Sequence, residues 1–183
     1  MSARRLRGRA APARAVHWVW AGVAAFWVVL DQATKVLAVE TLADGTVHLS
    51  WLDLRLVRNP GGAFSLPGLP GLFVVVTVVV LVLVVRALPR TDRLSLAAAY
   101  GLLTGGALGN GLDRVLRAPG FPSGHVVDFI DLRWWPVFNV ADIGIVTGAA
   151  LVAVLLSSSD RSGETAGDDT ARPAQSDTAP PPR

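Results

Sequence analysis

The chain has 183 residues, of which 51% are hydrophobic and only 17% charged, and its mean hydropathy is +0.45. This composition is more apolar than that of water-soluble domains and argues against a soluble single-domain protein. The sequence contains no Cys, which excludes disulfides, thiolate metal sites and a cysteine nucleophile. The net charge is +3, but the arginines lie beside apolar runs, so we expect membrane contact and no nucleic-acid partner.

Four stretches are candidates for membrane-spanning helices, because a bilayer core of roughly 30 Å requires about 20 mostly apolar residues. They cover residues 15–39, 68–85, 94–112 and 138–156. The second is rich in β-branched Val, but in lipid every backbone polar group must be paired within its own segment, which favours a helix. We therefore predict a mostly α, polytopic membrane protein with four transmembrane helices and a small extracytoplasmic β element.

The distribution of basic residues predicts the orientation of these helices. Five arginines precede the first span and place the N-terminus in the cytoplasm, and four spans return the C-terminus to that side. We expect a basic cytoplasmic N-terminus at residues 1–14 and a four-helix membrane domain at residues 15–157. Residues 158–183 are rich in Ser, Thr, Asp and Pro, which predicts a disordered cytoplasmic tail.

The first outer connection contains an alternating pattern that is typical of a half-buried strand at residues 47–57. The apolar positions change parity after Trp51, which predicts one strand with a bulge between Trp51 and Leu52. The Asn59-Pro60-Gly61-Gly62 segment then ends the strand, because Pro lacks a donor for the ladder and paired Gly favours a turn.

Asp31 and Lys35 are ionisable residues near the end of the first predicted span. They are four residues apart, which puts them on one helical face with the acid at the N-terminal position, the better orientation for an ion pair. Taken alone, these two residues favour a structural pair that anchors the helix end.

A second polar cluster, formed by Asn110, Asp113 and Arg114, shares one face at the end of the third span. Gly101, Gly105 and Gly109 precede it at the GxxxG spacing that lets another helix approach closely. Helix-to-helix contacts and substrate contacts explain this cluster equally well.

The third set contains Asp128, in an apolar extended stretch, and Asp142, about one turn into the fourth span with Asn139 on the same face. Pro136 interrupts the intervening loop, so the loop can fold back and bring both carboxyl groups to one depth. Two neighbouring carboxyls share a proton, so that one can activate water while the other polarises a carbonyl. Spacing alone leaves open that the two aspartates never meet.

Other hydrolytic chemistries lack their motifs. The three histidines are scattered without an HExxH motif, no GxSxG frames a serine, and no phosphate-binding loop occurs. Leu112 occupies the acid position of the GxGD motif found in another class of membrane aspartic proteases.

Five separated blocks resemble the lipoprotein signal peptidases, also called signal peptidase II, in the order typical of that family. They are Asp31-Gln32-Ala33-Thr34-Lys35, Asn59-Pro60-Gly61-Gly62-Ala63-Phe64-Ser65, Gly109-Asn110-Gly111-Leu112-Asp113-Arg114, Val127-Asp128-Phe129 and Phe138-Asn139-Val140-Ala141-Asp142. One departure is Gly62, where the family often has Ala, and we expect little consequence.

The resemblance implies an aspartic endopeptidase of the bacterial inner (plasma) membrane, with residues 15–157 as its peptidase domain. Such enzymes remove the signal peptide of a prolipoprotein by cutting before a cysteine that carries diacylglycerol. By this resemblance Asp128 and Asp142 are the catalytic pair. Supporting or substrate-binding positions are Asp31, Lys35, Asn59, Asn110, Asp113, Arg114 and Asn139.

The same resemblance implies no metal and no cofactor. The expected partners are a diacylated prolipoprotein substrate and membrane lipids, and we expect a monomer. Two alternatives remain: a lipid or peptide carrier that uses Asp31, Lys35 and Arg114 to bind headgroups, and a structural subunit whose polar residues only hold helices together.

Overall fold

The structure is a computed structural model that describes residues 11–61 and 70–168. Within these ranges the helices are α1 (Ala13–Thr41), α2 (Pro70–Ala87), α3 (Leu94–Leu116) and α4 (Val140–Asp168). The strands are β1 (Val47–His48), β2 (Asp53–Asn59) and β3 (Val126–Asp131), and a short 3-10 turn at Leu88–Arg90 links α2 to α3. The predicted mostly helical class with a small β element is confirmed.

Three of the four predicted spans have the length and composition needed to cross a membrane. In the described part of the chain these are Ala13–Thr41, Gly71–Arg90 and Val140–Ser158. The other predicted span forms α3, which is long enough but less apolar. The physical reason lies in its position, because α3 packs against α1, α2 and α4 and buries many of its own residues. A helix enclosed by other helices needs fewer lipid-compatible side chains.

Small residues on α3 allow α1 to approach closely, as the glycine spacing predicted. A Cβ atom added at Gly101 would lie 2.7 Å from Cβ of Val23, and one added at Gly105 would lie 2.7 Å from Cβ of Trp27. At Gly109 the added atom would lie 2.5 Å from Oδ2 of Asp31. The third glycine therefore leaves room for a carboxylate rather than for another backbone.

The strands form one antiparallel sheet in the order β1, β2, β3. Val47 pairs with Leu54 across the first ladder, and Asn59 pairs with Val126 across the second. The end of β2 at Asn59 confirms the predicted end of the strand. The sheet thereby places β3, which carries Asp128, beside the segment that carries Asn59.

The prediction of one strand over residues 47–57 with a bulge between Trp51 and Leu52 is wrong. The chain reverses there, and the parity change marks the two arms of a hairpin, while the irregular register lies between Leu54 and Val57. Long-range contacts explain the difference, because the guanidinium of Arg133 donates to the carbonyl of Leu49 at 2.8 Å and binds the Asp53 carboxylate on the other arm. The alternation of apolar residues within this segment does not indicate a contact with a side chain so distant along the chain.

Two buried apolar clusters hold the elements together. One joins α1, α2 and α3, and its fully or nearly fully buried members are Val16, Val84, Leu88, Leu96, Ala97 and Tyr100. The other joins the end of α1 to the sheet through Ala38, Leu42, Val127 and Phe129. The second cluster positions β3, because Val127 and Phe129 flank Asp128 and anchor the strand on both sides of it.

Helix α4 differs from its prediction at both ends. It begins at Val140 rather than at residue 138, and it continues to Asp168. The helix thus extends past residue 158, where the predicted tail begins, because a helix already formed is extended at low cost. Residues 169–183, most of the predicted basic N-terminus, and Gly62 lie outside the described residues.

Candidate functional site

Asp128 on β3 and Asp142 on α4 are held by one residue, Asn139. The side-chain nitrogen of Asn139 donates to Oδ1 of Asp128 at 2.7 Å, and its backbone nitrogen donates to Oδ2 of Asp142 at 3.1 Å. The structure thus brings together the two carboxyl groups whose proximity spacing alone left open.

The start of α4 explains how Asp142 is oriented. Asn139 precedes the helix, and its Oδ1 accepts from the backbone nitrogen of Asp142 at 3.0 Å, while Asp142 accepts from the backbone nitrogen of Asn139. This reciprocal pair is a capping box, which satisfies backbone donors that a helix start leaves unpaired. Because residue 139 is the cap, the helix begins at Val140, and Asp142 lies in its first turn.

The environment of Asp128 favours its protonated form. Its side chain is only 3% exposed and also accepts from Nδ2 of Asn59 at 3.0 Å. Burial raises the pKa of Asp128 to about 6, and the neighbouring Asp142 carboxyl adds to this, against the hydrogen bonds from Asn59 and Asn139. Asp128 can therefore hold a proton up to about pH 6, well above the pKa of 3.8 of an ordinary carboxyl.

A cavity of about 450 Å³ opens onto both carboxyl groups. Its polar lining consists of Asn59, Thr77, Asn110, Arg114, Asp128 and Asp142, and its other walls are Phe73, Val76, Val80, Ala107, Val126, Trp135, Pro136, Val137, Phe138 and Ile145. An apolar cavity with a few convergent polar groups is typical of ligand-binding sites. In the described residues no three His, Cys, Asp or Glu side chains come together as a metal-binding group.

Arg114 connects three parts of the cavity wall. Its Nη1 donates to the carbonyl of Asn59 at 3.0 Å and to the carbonyl of Gly124 at 2.8 Å, and the guanidinium carbon lies 5.1 Å from the centre of the Phe73 ring. Its Nε is buried without a hydrogen-bond partner among the described atoms. Arg114 therefore holds the end of β2 against α3 beside the cavity.

Behind the carboxyl pair lies an ionic cluster of three fully buried side chains, Asp31, Lys35 and Asp113, and the partly exposed Arg117. The ammonium of Lys35 lies 2.9 Å from Oδ2 of Asp31 and 2.9 Å from Oδ2 of Asp113. Arg117 also pairs with Asp113 at 2.7 Å, so the four charges balance. The predicted Asp31 and Lys35 ion pair is confirmed, and the structure adds Asp113 and Arg117 to it.

All seven predicted supporting residues thus belong to one connected region. Asn59, Asn110 and Asn139 each donate to one of the two carboxylates, since Asn110 Nδ2 lies 2.8 Å from Asp142 Oδ1. Arg114 lines the cavity. The remaining three, Asp31, Lys35 and Asp113, form the ionic cluster.

Gln32 was missed as a site residue. Its side-chain nitrogen lies 3.1 Å from Asp31, 3.2 Å from Asp113 and 3.0 Å from the carbonyl of Gly109, so it bridges both acids of the ionic cluster. Its place inside the Asp31-Gln32-Ala33-Thr34-Lys35 block was the available signal. Counting positions on one helical face does not detect it, because adjacent residues point about 100° apart.

The apolar cavity walls were also missed. Phe73, Trp135 and Phe138 come from three separate segments and converge only in the folded chain. Their sequence context is that of any apolar span or interfacial loop.

Fold and site together define a helical membrane protein with a buried carboxyl pair beside an apolar cavity. The family model for signal peptidase (SPase) II matches residues 23–157. The chain therefore belongs to the signal peptidase II family, which makes it a peptidase of a bacterial membrane.

Relatives agree with this assignment. The chain is 50% identical over 149 residues to a lipoprotein signal peptidase of Rhodococcus jostii (strain RHA1), covering 78% of this chain and 72% of the relative. It is 45% identical over 139 residues to the lipoprotein signal peptidase of Mycobacterium avium (strain 104), covering 73% and 75% respectively.

A solved structure supports the fold. A bacterial membrane enzyme determined by the in meso method at 2.3 Å resolution superposes with a TM-score of 0.64 at 28% identity, covering 86% of this chain and 92% of that one. The likeness therefore extends over most of both chains.

Proposed function

We propose that this chain is an aspartic endopeptidase that removes the signal peptide from diacylglyceryl-modified prolipoproteins. It cuts before the lipidated cysteine, with Asp128 and Asp142 as the catalytic pair. The observation that carries the proposal is that both carboxyl groups bind Asn139 and line one apolar cavity. The names of the relatives supply the substrate class.

The proposed mechanism uses water directly. One carboxylate takes a proton from water as the oxygen attacks the scissile carbonyl, while the other carboxyl, which is protonated, donates to the carbonyl oxygen. The resulting gem-diol collapses as the C–N bond breaks, and the amine nitrogen of the cysteine receives a proton. The products are a signal peptide with a new carboxyl group and a lipoprotein with a new amino group.

The environment of the pair supports the separate roles of one carboxylate as base and of the other carboxyl as acid. A pKa of about 6 at Asp128 means that the pair retains a proton up to about pH 6, where an ordinary carboxyl has lost it, and an acid catalyst requires this proton. The amide of Asn110 donates to Asp142, and the amide of Asn59 donates to Asp128. These donors hold each carboxyl in one orientation, and the titration belongs to the pair as a whole.

The cavity suits an apolar, ester-bearing substrate. Phe73, Val76 and Val80 on α2 and Ile145 on α4 line it, and acyl chains would contact these side chains. The guanidinium of Arg114 lies on the same cavity and offers donors to ester or peptide carbonyls. Asn59, Asn110 and Asn139 orient the carboxyl pair through direct hydrogen bonds. Asp31 and Asp113 support it through the backbone of Ala141 and Val127, and Lys35 pairs with both of these acids.

We also propose that α3 is the remaining transmembrane helix. Its 23 residues span about 35 Å at 1.5 Å per residue, enough to cross a bilayer core. Arg86 lies in the last turn of α2, and Arg90 and Arg93 lie between α2 and α3, which supports a cytoplasmic side for this connection and for both termini. We propose that the protein acts as a monomer.

The test is cleavage of a synthetic diacylated precursor peptide by the purified protein in detergent, compared with its unacylated counterpart. We expect selective cleavage of the acylated peptide, and loss of cleavage in Asp128→Asn and in Asp142→Asn. Asp44→Asn serves as the control, because Asp44 is an exposed carboxyl in the loop after α1.

Two outcomes would contradict the proposal. Substantial cleavage by either aspartate variant would exclude the carboxyl pair as the catalyst. Binding of the acylated peptide without turnover by the wild-type protein would instead favour the carrier.

A further inference from the structure

Lys35 is buried in the ionic cluster and uses all of its hydrogen-bonding capacity there. An ammonium has three N–H donors. Lys35 directs them to Asp31, Asp113 and Asn110, each acceptor oxygen lying 2.9 Å away. Its side chain is 0% exposed, and it is not among the described residues that line the cavity. Direct contact with substrate is therefore not its role.

Each carboxylate that binds Lys35 also accepts a hydrogen bond from the backbone nitrogen of the residue that precedes one of the two catalytic aspartates. Asp31 Oδ1 accepts from the backbone nitrogen of Ala141 at 2.8 Å, immediately before Asp142. Asp113 Oδ2 accepts from the backbone nitrogen of Val127 at 3.1 Å, immediately before Asp128. One ammonium thus joins the two carboxylates that fix the positions of α4 and β3.

The third acceptor sets the orientation of an amide. The oxygen of Asn110 faces Lys35 and also accepts from Asn139 at 3.0 Å, so its nitrogen points to Asp142. If the Asn110 amide were reversed, its NH2 group would face the Lys35 ammonium, and two donors would oppose each other. The positive charge therefore keeps the donor of Asn110 aimed at the carboxylate.

We infer that Lys35 is a positioning residue for the proposed peptidase reaction, holding both aspartates at their working separation and aiming the Asn110 amide at Asp142. This inference rests on the proposed function. A role limited to anchoring a helix end would require only the contact with Asp31, whereas Lys35 also binds Asp113 and Asn110 on α3, whose side chains contact Val127 and Asp142.

The test is a double-mutant cycle on kcat with the synthetic diacylated precursor. We expect Lys35→Met and Asn110→Ala each to lower kcat by about 100-fold, the loss typical of a misplaced catalytic group. If Lys35 acts through Asn110, the double variant also loses about 100-fold, whereas independent effects would multiply to about 10⁴-fold. For Lys35→Met we expect a KM close to that of the wild-type protein, because Lys35 does not line the cavity.

Lys35→Met leaves an excess negative charge buried and can prevent folding. The second variant is therefore Lys35→Met combined with Asp31→Asn, which keeps the cluster neutral and leaves a side-chain oxygen at residue 31 to accept from Ala141. We expect this variant to fold, as judged by its melting temperature in detergent, and to have the same loss of kcat. A wild-type kcat in a folded Lys35 variant would overturn the inference, and a multiplicative double variant would overturn its part that acts through Asn110.

A second measurement does not depend on turnover. Carboxyl ¹³C NMR of Asp-labelled protein follows the titration of Asp128, whose ionised form Lys35 stabilises through its charge. The charged groups near Asp128 are Asp142 on α4 and Arg114 on α3, and those around Lys35 are Asp31 on α1 and Asp113 on α3, which also binds Arg117. Loss of Lys35 should raise the midpoint for Asp128, and an unchanged midpoint would overturn the inference. If the wild-type protein cleaves nothing, the proposed function fails. If it cleaves the acylated peptide and a folded Lys35 variant keeps the wild-type kcat, only the inference about Lys35 fails.

Discussion

The side-chain nitrogen of Asn139 lies 2.7 Å from Oδ1 of Asp128. Asn139 is also the cap of α4, where it is bonded reciprocally to Asp142. The capping residue that starts α4 therefore also connects the two carboxyl groups. Helix capping and placement of the catalytic pair depend on the same side chain, so substitution of Asn139 affects both.

Asn59→Ala is expected to move the alkaline limb of the pH profile to higher pH. The pair needs one proton, so kcat/KM should fall as pH rises through the Asp128 pKa of about 6. Asn59 donates to the ionised Asp128 and lowers its pKa, and removing this donor raises the pKa again. The measurement is kcat/KM against pH, with exposed Arg58→Ala as the control. A limb that stays in place or moves to lower pH would contradict this prediction.

The stability of the protein should fall between about pH 4 and pH 6 because of Asp128. The pKa of an ordinary Asp carboxyl, as in the unfolded chain, is 3.8, and the pKa of Asp128 in the folded protein is about 6. In this window the native protein therefore holds a proton that the unfolded chain has lost. The unfolding free energy therefore decreases as pH rises, by up to about 3 kcal/mol from one carboxyl, and levels off above pH 6.

Melting temperatures in detergent from pH 4 to pH 8 test this prediction. Asp128→Asn should lack this contribution, while Asp44→Asn should keep it. Parallel pH dependence in the wild-type protein and Asp128→Asn would show that the Asp128 pKa is not raised.

Gly105→Ala should destabilise the contact between α1 and α3. The new Cβ atom would lie 2.7 Å from Cβ of Trp27 and 2.9 Å from the carbonyl oxygen of Ala24, so the helices must move apart. Such overpacking costs about 1–3 kcal/mol. Gly22→Ala is the matched control on α1, because an added Cβ there meets nothing within 4 Å and alanine is the better helix former. Equal melting temperatures for the two variants would contradict the close approach.

Arg114→Met should lower both stability and activity. The substitution removes the hydrogen bonds from Nη1 to the carbonyls of Asn59 and Gly124, and it removes the contact of the guanidinium with the Phe73 ring. Each carbonyl oxygen left buried and unpaired costs about 1–3 kcal/mol. The loss of order at Asn59 then disturbs Asp128. Melting temperature and cleavage of the acylated peptide measure the two effects, with exposed Arg58→Met as the control. Full activity in Arg114→Met would exclude this role.

Local patterns in the sequence were sufficient for features that depend on neighbouring residues. Apolar length predicted α1, α2 and α4, and the Asn59-Pro60-Gly61 turn predicted the end of β2. Helical spacing likewise predicted the ion pair of Asp31 and Lys35. In each case the residues that interact lie within one or two turns, so the chain itself brings them together.

Tertiary structure alone decided how distant segments meet. The hairpin of β1 and β2 depends on Arg133, and the third acid of the ionic cluster, Asp113, comes from α3. The meeting of Asp128 and Asp142 depends on the apolar contacts that anchor β3 over α1 and on the cap that starts α4. These contacts arise from packing between elements far apart along the chain, where neither periodicity nor spacing specifies a distance.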